Sequence, residues 1–232
     1  MRSHRFPKRI GSSALIVAPH PDDETFGCGG TAALMAKGGV AVNVVFLTDG
    51  GASHPGHATA TPSEIASLRR AEARSAMSIL GVDWDKVTFL GARDGSLAGL
   101  DAGQAAEIVD QIATLLSQIA PEAILLPCRR DGSSEHDAAF ALVRRALDQA
   151  RLSPRIFEFP VWSWWNPTLL LRCLLAYRKV WRVELGSTRD LKGIALASYA
   201  SQTLPIPPQS TPALPPGFVS MFLGKEEFFL EK

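Results

Sequence analysis

Ser13-Ala-Leu-Ile-Val-Ala-Pro-His-Pro-Asp-Asp-Glu24 is the stretch that decides the reading of this chain. Ser13 to Val17 is a short apolar run of the kind that forms a buried strand. Ala18-Pro-His-Pro-Asp-Asp-Glu24 follows at once, so one histidine and three acids arrive together where the strand ends and the chain turns. In an open α/β sheet the carboxyl ends of the strands are where ligands bind. Carboxylates crowded into one place repel one another. A divalent metal, the largest local charge in such a site, keeps them ionised.

Outward from this stretch the pattern alternates strand and helix from residue 13 to about 150. Thr31 to Lys37 reads as a helix ended by Gly38-Gly39, and Val40 to Leu47 as a β-branched second strand. Ser63 to Leu80 has apolar residues at helical spacing, with Pro62 near its start and Gly81 just past its end. Lys86 to Leu90 is a third strand, Ala105 to Ile119 a third helix, Ala123 to Leu126 a fourth strand and His136 to Ala150 a fourth helix. Repeated βαβα of this kind predicts an α/β fold, a Rossmann-like, mostly parallel sheet with helices on both faces. After residue 150 the pattern loosens. Arg155 to Phe159 and Trp181 to Leu185 read as strands, Thr188 to Ser201 as a helix, and the proline-rich Leu204 to Gly217 as an extended surface loop. No linker marks a boundary. The expectation is one domain over residues 1–232, with a core at 13–150 that residues 151–232 complete.

Composition narrows the function. Apolar residues are 46% and charged residues 20% of the 232, an ordinary globular balance with room for a sizeable core. A net charge of +1 argues against a nucleic-acid-binding protein held by bulk charge. Cys28, Cys128 and Cys173 are odd in number and form no C-x-x-C pair, against both a disulfide framework and a thiolate zinc site. The basic N-terminal Met1 to Ile10 precedes no apolar core of signal-peptide length, so a cytoplasmic location is the default expectation. Trp162 to Trp181 is rich in tryptophan and leucine, but Arg172, Arg178 and Lys179 interrupt it, so it does not read as a membrane span. A core or lid helix is the favoured reading, an interfacial membrane contact the other.

A catalytic zinc site typically takes three protein ligands from His and Asp/Glu and leaves one position open. His20 and Asp23 flank a tight proline-containing turn and can point at one centre, whereas Asp22, adjacent to Asp23, is left to hold a water rather than the metal. The third ligand must come from elsewhere, and His136 is the best candidate. It lies in Arg129-Arg-Asp-Gly-Ser-Ser-Glu-His136, just beyond the apolar strand ending at Leu126-Pro127, at a second strand end. A competing reading makes it a plain helix-start residue, with Ser133 or Ser134 as N-cap and Glu135 in the first turn. The glycines at 27, 29 and 30 do not match a dinucleotide fingerprint and read as close approach of a helix to the sheet.

Pro19-His-Pro-Asp-Asp-Glu24 together with Asp131-Gly-Ser-Ser-Glu-His136 resembles the PIG-L/LmbE-like zinc-dependent N-deacetylases, whose members usually carry P/A-H-P-D-D-E and a later H-x-D-H. Leu47 to His54 resembles that family's T-D-G loop, Arg69 to Glu72 its R-x-x-E helix, Leu90 to Gly95 its L-G-x-x-D-G loop, and Lys192 with Ser198 to Gln202 its K…Y-x-S-Q stretch. The resemblance implies Zn²⁺ bound by His20, Asp23 and His136, Asp22 as general base, and Arg69, Asp94 and the His54 loop helping to hold an amino sugar or glycoconjugate. The implied reaction removes an N-acetyl or other N-acyl group.

Two positions depart from H-x-D-H: Glu135 takes the place of its aspartate, and Ser133 stands where its first histidine belongs, where a serine hydroxyl is not a cationic acid near neutral pH. Two rivals therefore stand beside the deacetylase: an amidase on a thiol conjugate or lipid-linked precursor, and a catalytically weakened sugar-binding protein. His54 or His57 offers a substitute imidazole, although both read first as solvated loop histidines. Trp162, Trp164 and Trp165 read equally as a sugar-stacking wall or a hydrophobic anchor.

Overall fold

Strand Ser13–Ala18 is buried on both faces, and this sets the layering of the whole molecule. Ala14, Ile16 and Ala18 point into one apolar cluster, Leu15 and Val17 into another. Alternation of period two with apolar residues on both sides is what a central parallel strand requires. The computed structural model describes residues 3–5 and 11–232; of the basic N-terminal stretch, residues 1–2 and 6–10 lie outside the described residues.

Along the chain the elements are β1 (Ser3–Arg5), β2 (Ser13–Ala18), α1 (Asp23–Lys37), β3 (Ala41–Thr48), α2 (Pro62–Leu80), β4 (Val87–Ala92), α3 (Ala102–Ile119), β5 (Ala123–Pro127), α4 (Ser134–Ala150) and β6 (Arg155–Phe159). Then follow α5 (Pro167–Leu175), β7 (Lys179–Glu184), α6 (Thr188–Ser198), α7 (Ala200–Thr203) and β8 (Glu226–Glu231). The sheet order is β1-β7-β8-β6-β5-β2-β3-β4, parallel throughout except for β8, which runs antiparallel to both β6 and β7. The expected mostly parallel α/β sheet is therefore present. From β2 the chain builds outward to β3 and β4, then returns to place β5 on the other side. The carboxyl ends of β2 and β5 thus flank a topological switch point, where α/β sheets place their ligands.

Local chemistry accounts for the element ends. Thr61 and Glu64 form a reciprocal capping box at α2, which Gly81 closes with a φ of 74°, and Asp101 with Gln104 does the same at the start of α3. One expectation was too short. α1 begins at Asp23, not Thr31, and runs through Gly27, Gly29 and Gly30 with a kink at Cys28. Glycine disfavours helix, but tertiary packing overrides that preference here. A Cβ on Gly27 would lie 1.9 Å from the Phe159 ring, and one on Gly30 2.7 Å from Leu185. The glycines bring α1 onto the sheet, as the sequence suggested.

Other expectations shift after residue 150. Trp162–Trp165 is a 3₁₀ turn and α5 a short helix, so residues 162–181 form no single core helix; the last of them belong to β7. The helix expected at 188–201 breaks at Tyr199. β8 went unread because Glu226, Glu227 and Glu231 disguise a strand; Glu227 is buried and paired with Lys192 at 2.7 Å. No described helix is long and apolar enough to cross a membrane.

Gly27→Ala is expected to destabilise the fold by at least about 2 kcal/mol, since overpacking outweighs the helix-propensity gain. Its melting temperature should fall by roughly 4–8 °C. Gly99→Ala, where an added Cβ meets nothing within 4 Å, should leave it unchanged. Thermal denaturation of the two variants beside the wild type checks the contrast.

Candidate functional site

Two neighbouring strands deliver the site. β2 and β5 pair in parallel, Ile16 opposite Leu125, so the turns that follow them open on the same edge of the sheet. The Pro19 carbonyl accepts from Thr48 N and Thr48 Oγ1, at 3.0 and 2.8 Å, which anchors the turn after β2. Beyond it, His20 N donates to Asp23 Oδ2 at 3.1 Å, and His20 Nδ1 lies 3.1 Å from the same oxygen. From the β5 side, His136 sits fully buried in the first turn of α4. One ligand atom each from His20, Asp23 and His136 lies within 4.8 Å of the others. The three residues singled out from spacing are brought together.

The donor set fits a metal ion. His136 Nε2 is 3.3 Å from Asp23 Oδ1 but outside hydrogen-bond geometry, so it is a buried polar atom with no hydrogen-bond partner. Such an atom is costly unless something binds it. Two imidazole nitrogens and a carboxylate oxygen are the ligand types of an open zinc-type site. The other ring nitrogen, Nδ1, is 2.9 Å from Asp131 Oδ2. Asp131 is itself fully buried and accepts from the backbone N–H groups of Val161, Trp162 and Ser163, with Trp162 N and Ser163 N at 2.9 and 2.8 Å. That carboxylate fixes the ring's orientation and directs Nε2 toward Asp23. Burial opposes charge on His136, yet Asp23 and Asp131 lift its pKa to about 9. A metal competes with that proton, so its binding strengthens as pH rises.

Asp22 is set apart from its neighbour. Its backbone has φ 150° and ψ −30°, a conformation an L-residue adopts only under constraint, costing about 1–3 kcal/mol. The constraint is visible. Asp22 N donates to Glu24 Oε2, Asp22 O accepts from Thr25 N and Phe26 N, and Arg69 Nη2 pairs with Asp22 Oδ2 at 2.9 Å. Burial pushes the Asp22 carboxyl up to about 7, against the pull of Arg69. Asp23 moves the other way: burial raises it, but His136 and His20 outweigh burial and hold it far below the usual carboxylate range. Adjacent acids are thus driven apart, one toward proton exchange near neutrality and one toward permanent charge.

The remaining expected residues fall less uniformly. Asp94 Oδ1 lies 3.2 Å from His20 Nε2 and its Oδ2 accepts from Ala52 N, so it touches a candidate ligand directly. Arg69, expected to hold substrate, is 2% exposed. Besides Asp22, its guanidinium donates to the carbonyls of Pro21 and Gly50, which makes it a clamp behind the site. It is not paired with Glu72, which turns inward and accepts from Ser201 N and Oγ. His54 is buried, with Nε2 lacking a hydrogen-bond partner and Nδ1 3.0 Å from Ser53 Oγ. The solvated-loop reading therefore fails for His54. His57 is half-buried, its Nδ1 accepting from Thr59 N and Ala60 N. Ser133 is the N-cap of α4, its hydroxyl accepting from His136 N at 3.4 Å.

Two residues had no assigned role in the sequence. Asp131 and Glu135 both stand in the second motif, and Glu135 also in the first turn of a helix, with no role assigned to either. Glu135 Oε2 is 3.8 Å from His20 Nε2, while its Oε1 accepts from Ala98 N. The available signal was an acid five residues before His136, across a glycine turn. The tryptophans do not form a free wall: Trp162 packs on Phe218 at 4.9 Å and Trp164 on Phe228 at 5.8 Å, while Trp165 is 44% exposed. A cavity of about 740 Å³ lined by Phe26, Trp164, Lys192, Phe222 and Phe228 includes none of the three ligand candidates.

The chain is similar to several known proteins. The sequence model of PIG-L, GlcNAc-PI de-N-acetylase, matches residues 15–147. The chain is 30% identical over 168 residues to a 1D-myo-inositol 2-acetamido-2-deoxy-alpha-D-glucopyranoside deacetylase of Kineococcus radiotolerans, covering 61% of this chain and 45% of that protein. It is 29% identical over 138 residues to a probable N-acetyl-alpha-D-glucosaminyl L-malate deacetylase 2 of Bacillus cereus, covering 58% and 60%. The chain thus spans about half the length of these curated relatives. Among solved structures, the conserved protein TT1542 of Thermus thermophilus superposes with a TM-score of 0.66 at 26% identity, covering 94% of this chain and 93% of that one. GalB, the 4-carboxy-2-hydroxymuconate hydratase of Pseudomonas putida, gives 0.67 at 24% identity over 83% and 80%, a likeness of fold alone. Fold does not choose the reaction; the site residues must.

Asp131→Asn should weaken metal binding about 10–100-fold while the protein stays folded, because an amide presents N–H where the carboxylate received it. Metal titration against a competing chelator, with circular dichroism as the folding control, reads this out. Unchanged affinity would free His136 from any dependence on Asp131.

Proposed function

Since the chain belongs to the PIG-L family, GlcNAc-PI de-N-acetylase, we propose that it is a metal-dependent N-deacetylase that removes an acetyl group from the nitrogen of an amino sugar or glycoconjugate. One observation carries the reading. His20, Asp23 and His136 converge around a His136 Nε2 that has no hydrogen-bond partner, with a strained Asp22, its carboxyl pushed up to about 7, alongside. The names of the curated relatives, deacetylases of glucosaminyl compounds, supply the substrate class.

His20, Asp23 and His136 would hold the metal, for which zinc suits the ligand types best. Bound there, it would polarise the acyl carbonyl and make a water nucleophilic near neutral pH. Asp22 is the general base. Arg69 engages its Oδ2 at 2.9 Å and leaves Oδ1 to take the proton from the attacking water. Arg69 also holds the Pro21 and Gly50 carbonyls, so one buried cation fixes the base and both loops beside it. Asp94 and Glu135 keep the His20 ring in place from its Nε2 side. Asp94 would accept a hydrogen bond from a sugar hydroxyl, and the loop that carries His54 would border the sugar.

The leaving nitrogen needs a proton or a hydrogen bond, and Ser133 stands where the family pattern has histidine. Its hydroxyl accepts from His136 N and is free to donate, but a neutral donor gives roughly half the strength of a charge-assisted one. The enzyme is therefore expected to be slow on simple N-acetyl sugars.

Acetate release from a panel of N-acetylated amino sugars, with and without chelator, is the direct test. No release from any of them by metal-loaded protein would remove the deacetylase reading. Within an active preparation, Asp22→Asn should keep its metal and lose turnover by about 10²–10⁴-fold.

Turnover should also rise with pH to a plateau. Burial puts Asp22 near 7 and a bound cation pulls it lower, so the midpoint should lie at or below about 7. A pH–rate profile that falls as pH rises through 7 would contradict Asp22 as a base.

Ser133→His should raise kcat by about tenfold or more without altering metal content, restoring part of a general acid's contribution. It should also cost about 1 kcal/mol of stability through loss of the α4 N-cap. Steady-state kinetics and thermal melts together separate the two effects.

A further inference from the structure

Behind the candidate centre lies a pair of thiols that the deacetylase reading does not use. Cys128 follows directly on β5, and Cys173 lies in α5. Their sulfurs are 3.1 Å apart, both are free, and both have no exposed surface. Cys173 is the one buried residue of α5, whose Leu171 and Leu175 are 57% and 77% exposed. Leu169, Leu170 and Leu174 of the same helix are half-buried, and Leu174 packs on the cluster that holds both thiols. On the other side, Cys128 Sγ is 3.6 Å from Asp131 Oδ1, the carboxylate that orients His136. Cys173 Sγ also approaches the Arg129 carbonyl at 3.3 Å. The third thiol, Cys28, belongs to a different apolar cluster.

We propose that Cys128 and Cys173 are an oxidisable thiol pair, converted by a hydroperoxide into an intramolecular disulfide that ties α5 to the loop that carries Asp131 and leads into the α4 turn of His136. A disulfide sets its sulfurs about 2.0 Å apart, so closing the pair needs a movement of only about 1 Å. Cys173 is the attacking sulfur, because an opening of α5, with its exposed Leu171 and Leu175, uncovers it, whereas Cys128 follows directly on the fully buried β5. A hydrogen bond from Cys128 holds the Cys173 thiol below its usual range, although burial opposes this, and the same bond raises Cys128. The Cys173 thiolate attacks a peroxide oxygen; the O–O bond breaks, giving a sulfenic acid and hydroxide or alkoxide. Cys128, losing its proton, then displaces hydroxide from that sulfur and forms the S–S bond. The two thiols lose two electrons to the peroxide, and two protons leave with its oxygens as water, or as water and an alcohol. A dithiol reverses the bond by exchange.

A second metal site on Cys128, Asp131 and Cys173 is the rival reading, since their ligand atoms also cluster within 4.8 Å. Asp131 argues against it. Its oxygens already accept from three backbone N–H groups and from His136 Nδ1, which leaves two thiols and no third ligand.

The test uses the full chain, loaded with zinc, treated with a slight excess of hydrogen peroxide and then alkylated and digested. One free thiol, Cys28, and a linked Cys128–Cys173 peptide pair are expected, with three free thiols restored by dithiothreitol. Hydrogen exchange at the α5 amides should slow about tenfold on oxidation. Cys173→Ala and Cys128→Ala, measured alongside, should show no such slowing and should hold as much zinc as the wild type. Three surviving thiols, a link to Cys28, a link between two chains, or conversion of Cys173 to a sulfinic acid would each overturn the pairing. A linked pair with unchanged exchange in α5 would overturn the tether. Loss of one zinc equivalent in both alanine variants would replace the proposal with the thiolate metal site.

Discussion

Mutual repulsion among buried carboxylates is the constraint on which this site depends. Asp22, Asp23, Glu24, Asp131 and Glu135 are all buried at one edge of the sheet, with Asp94 half-buried among them. Left alone they could not all ionise. Four of them have their own compensation: Arg69 for Asp22, two histidines for Asp23, hydroxyls of Thr25 and Tyr199 for Glu24, and a nest of backbone N–H groups for Asp131. The outcome is a graded set of acids. Asp23 stays charged, while Asp22 and Glu24 are pushed by burial to about 7. A metal centre with an adjacent base needs that separation, because a ligand must remain deprotonated and a base must change state during each turnover.

The chain beyond residue 150 serves the same end. Tyr199 donates to Glu24, Ser201 to Glu72, and Lys192 to both Glu227 and the Phe26 carbonyl. These contacts span more than a hundred residues of sequence in most cases and reach the segment that carries the HPDDE motif. A buried polar network whose members are satisfied admits few alternative packings. This explains why α1 can tolerate three glycines and a kink in its first half: the surrounding network holds it. The strained φ of Asp22 persists for the same reason.

Much of the fold was legible in residue pattern. β6 matches its expected bounds, and β2, β3, β5, α2 and α3 fall within about three residues of theirs, because period-two and period-3.6 patterns with proline and glycine punctuation are local signals. The shortfalls were non-local. α1 was read short because helix propensity counts glycine as a breaker, whereas Phe159 and Leu185 occupy the space a side chain would need. β8 does not read as a strand from its glutamates; pairing with β7 and the buried Lys192–Glu227 contact, both non-local, accommodate it in the sheet.

The sequence by itself determined the candidate ligands. A histidine and paired acids at one strand end name His20 and Asp23, since ligand chemistry is written in residue types, and the family resemblance chooses His136, after a second strand, over its plain helix-start reading. Only the tertiary structure decided what each neighbour does. Arg69 became a buried clamp on Asp22, Asp131 the orienting partner of His136, and His54 a buried ring where a solvated one was expected. Cys128 and Cys173, 45 positions apart, became neighbours at 3.1 Å. Orientation, burial and long-range pairing depend on how layers pack, and no local pattern of residues encodes that packing.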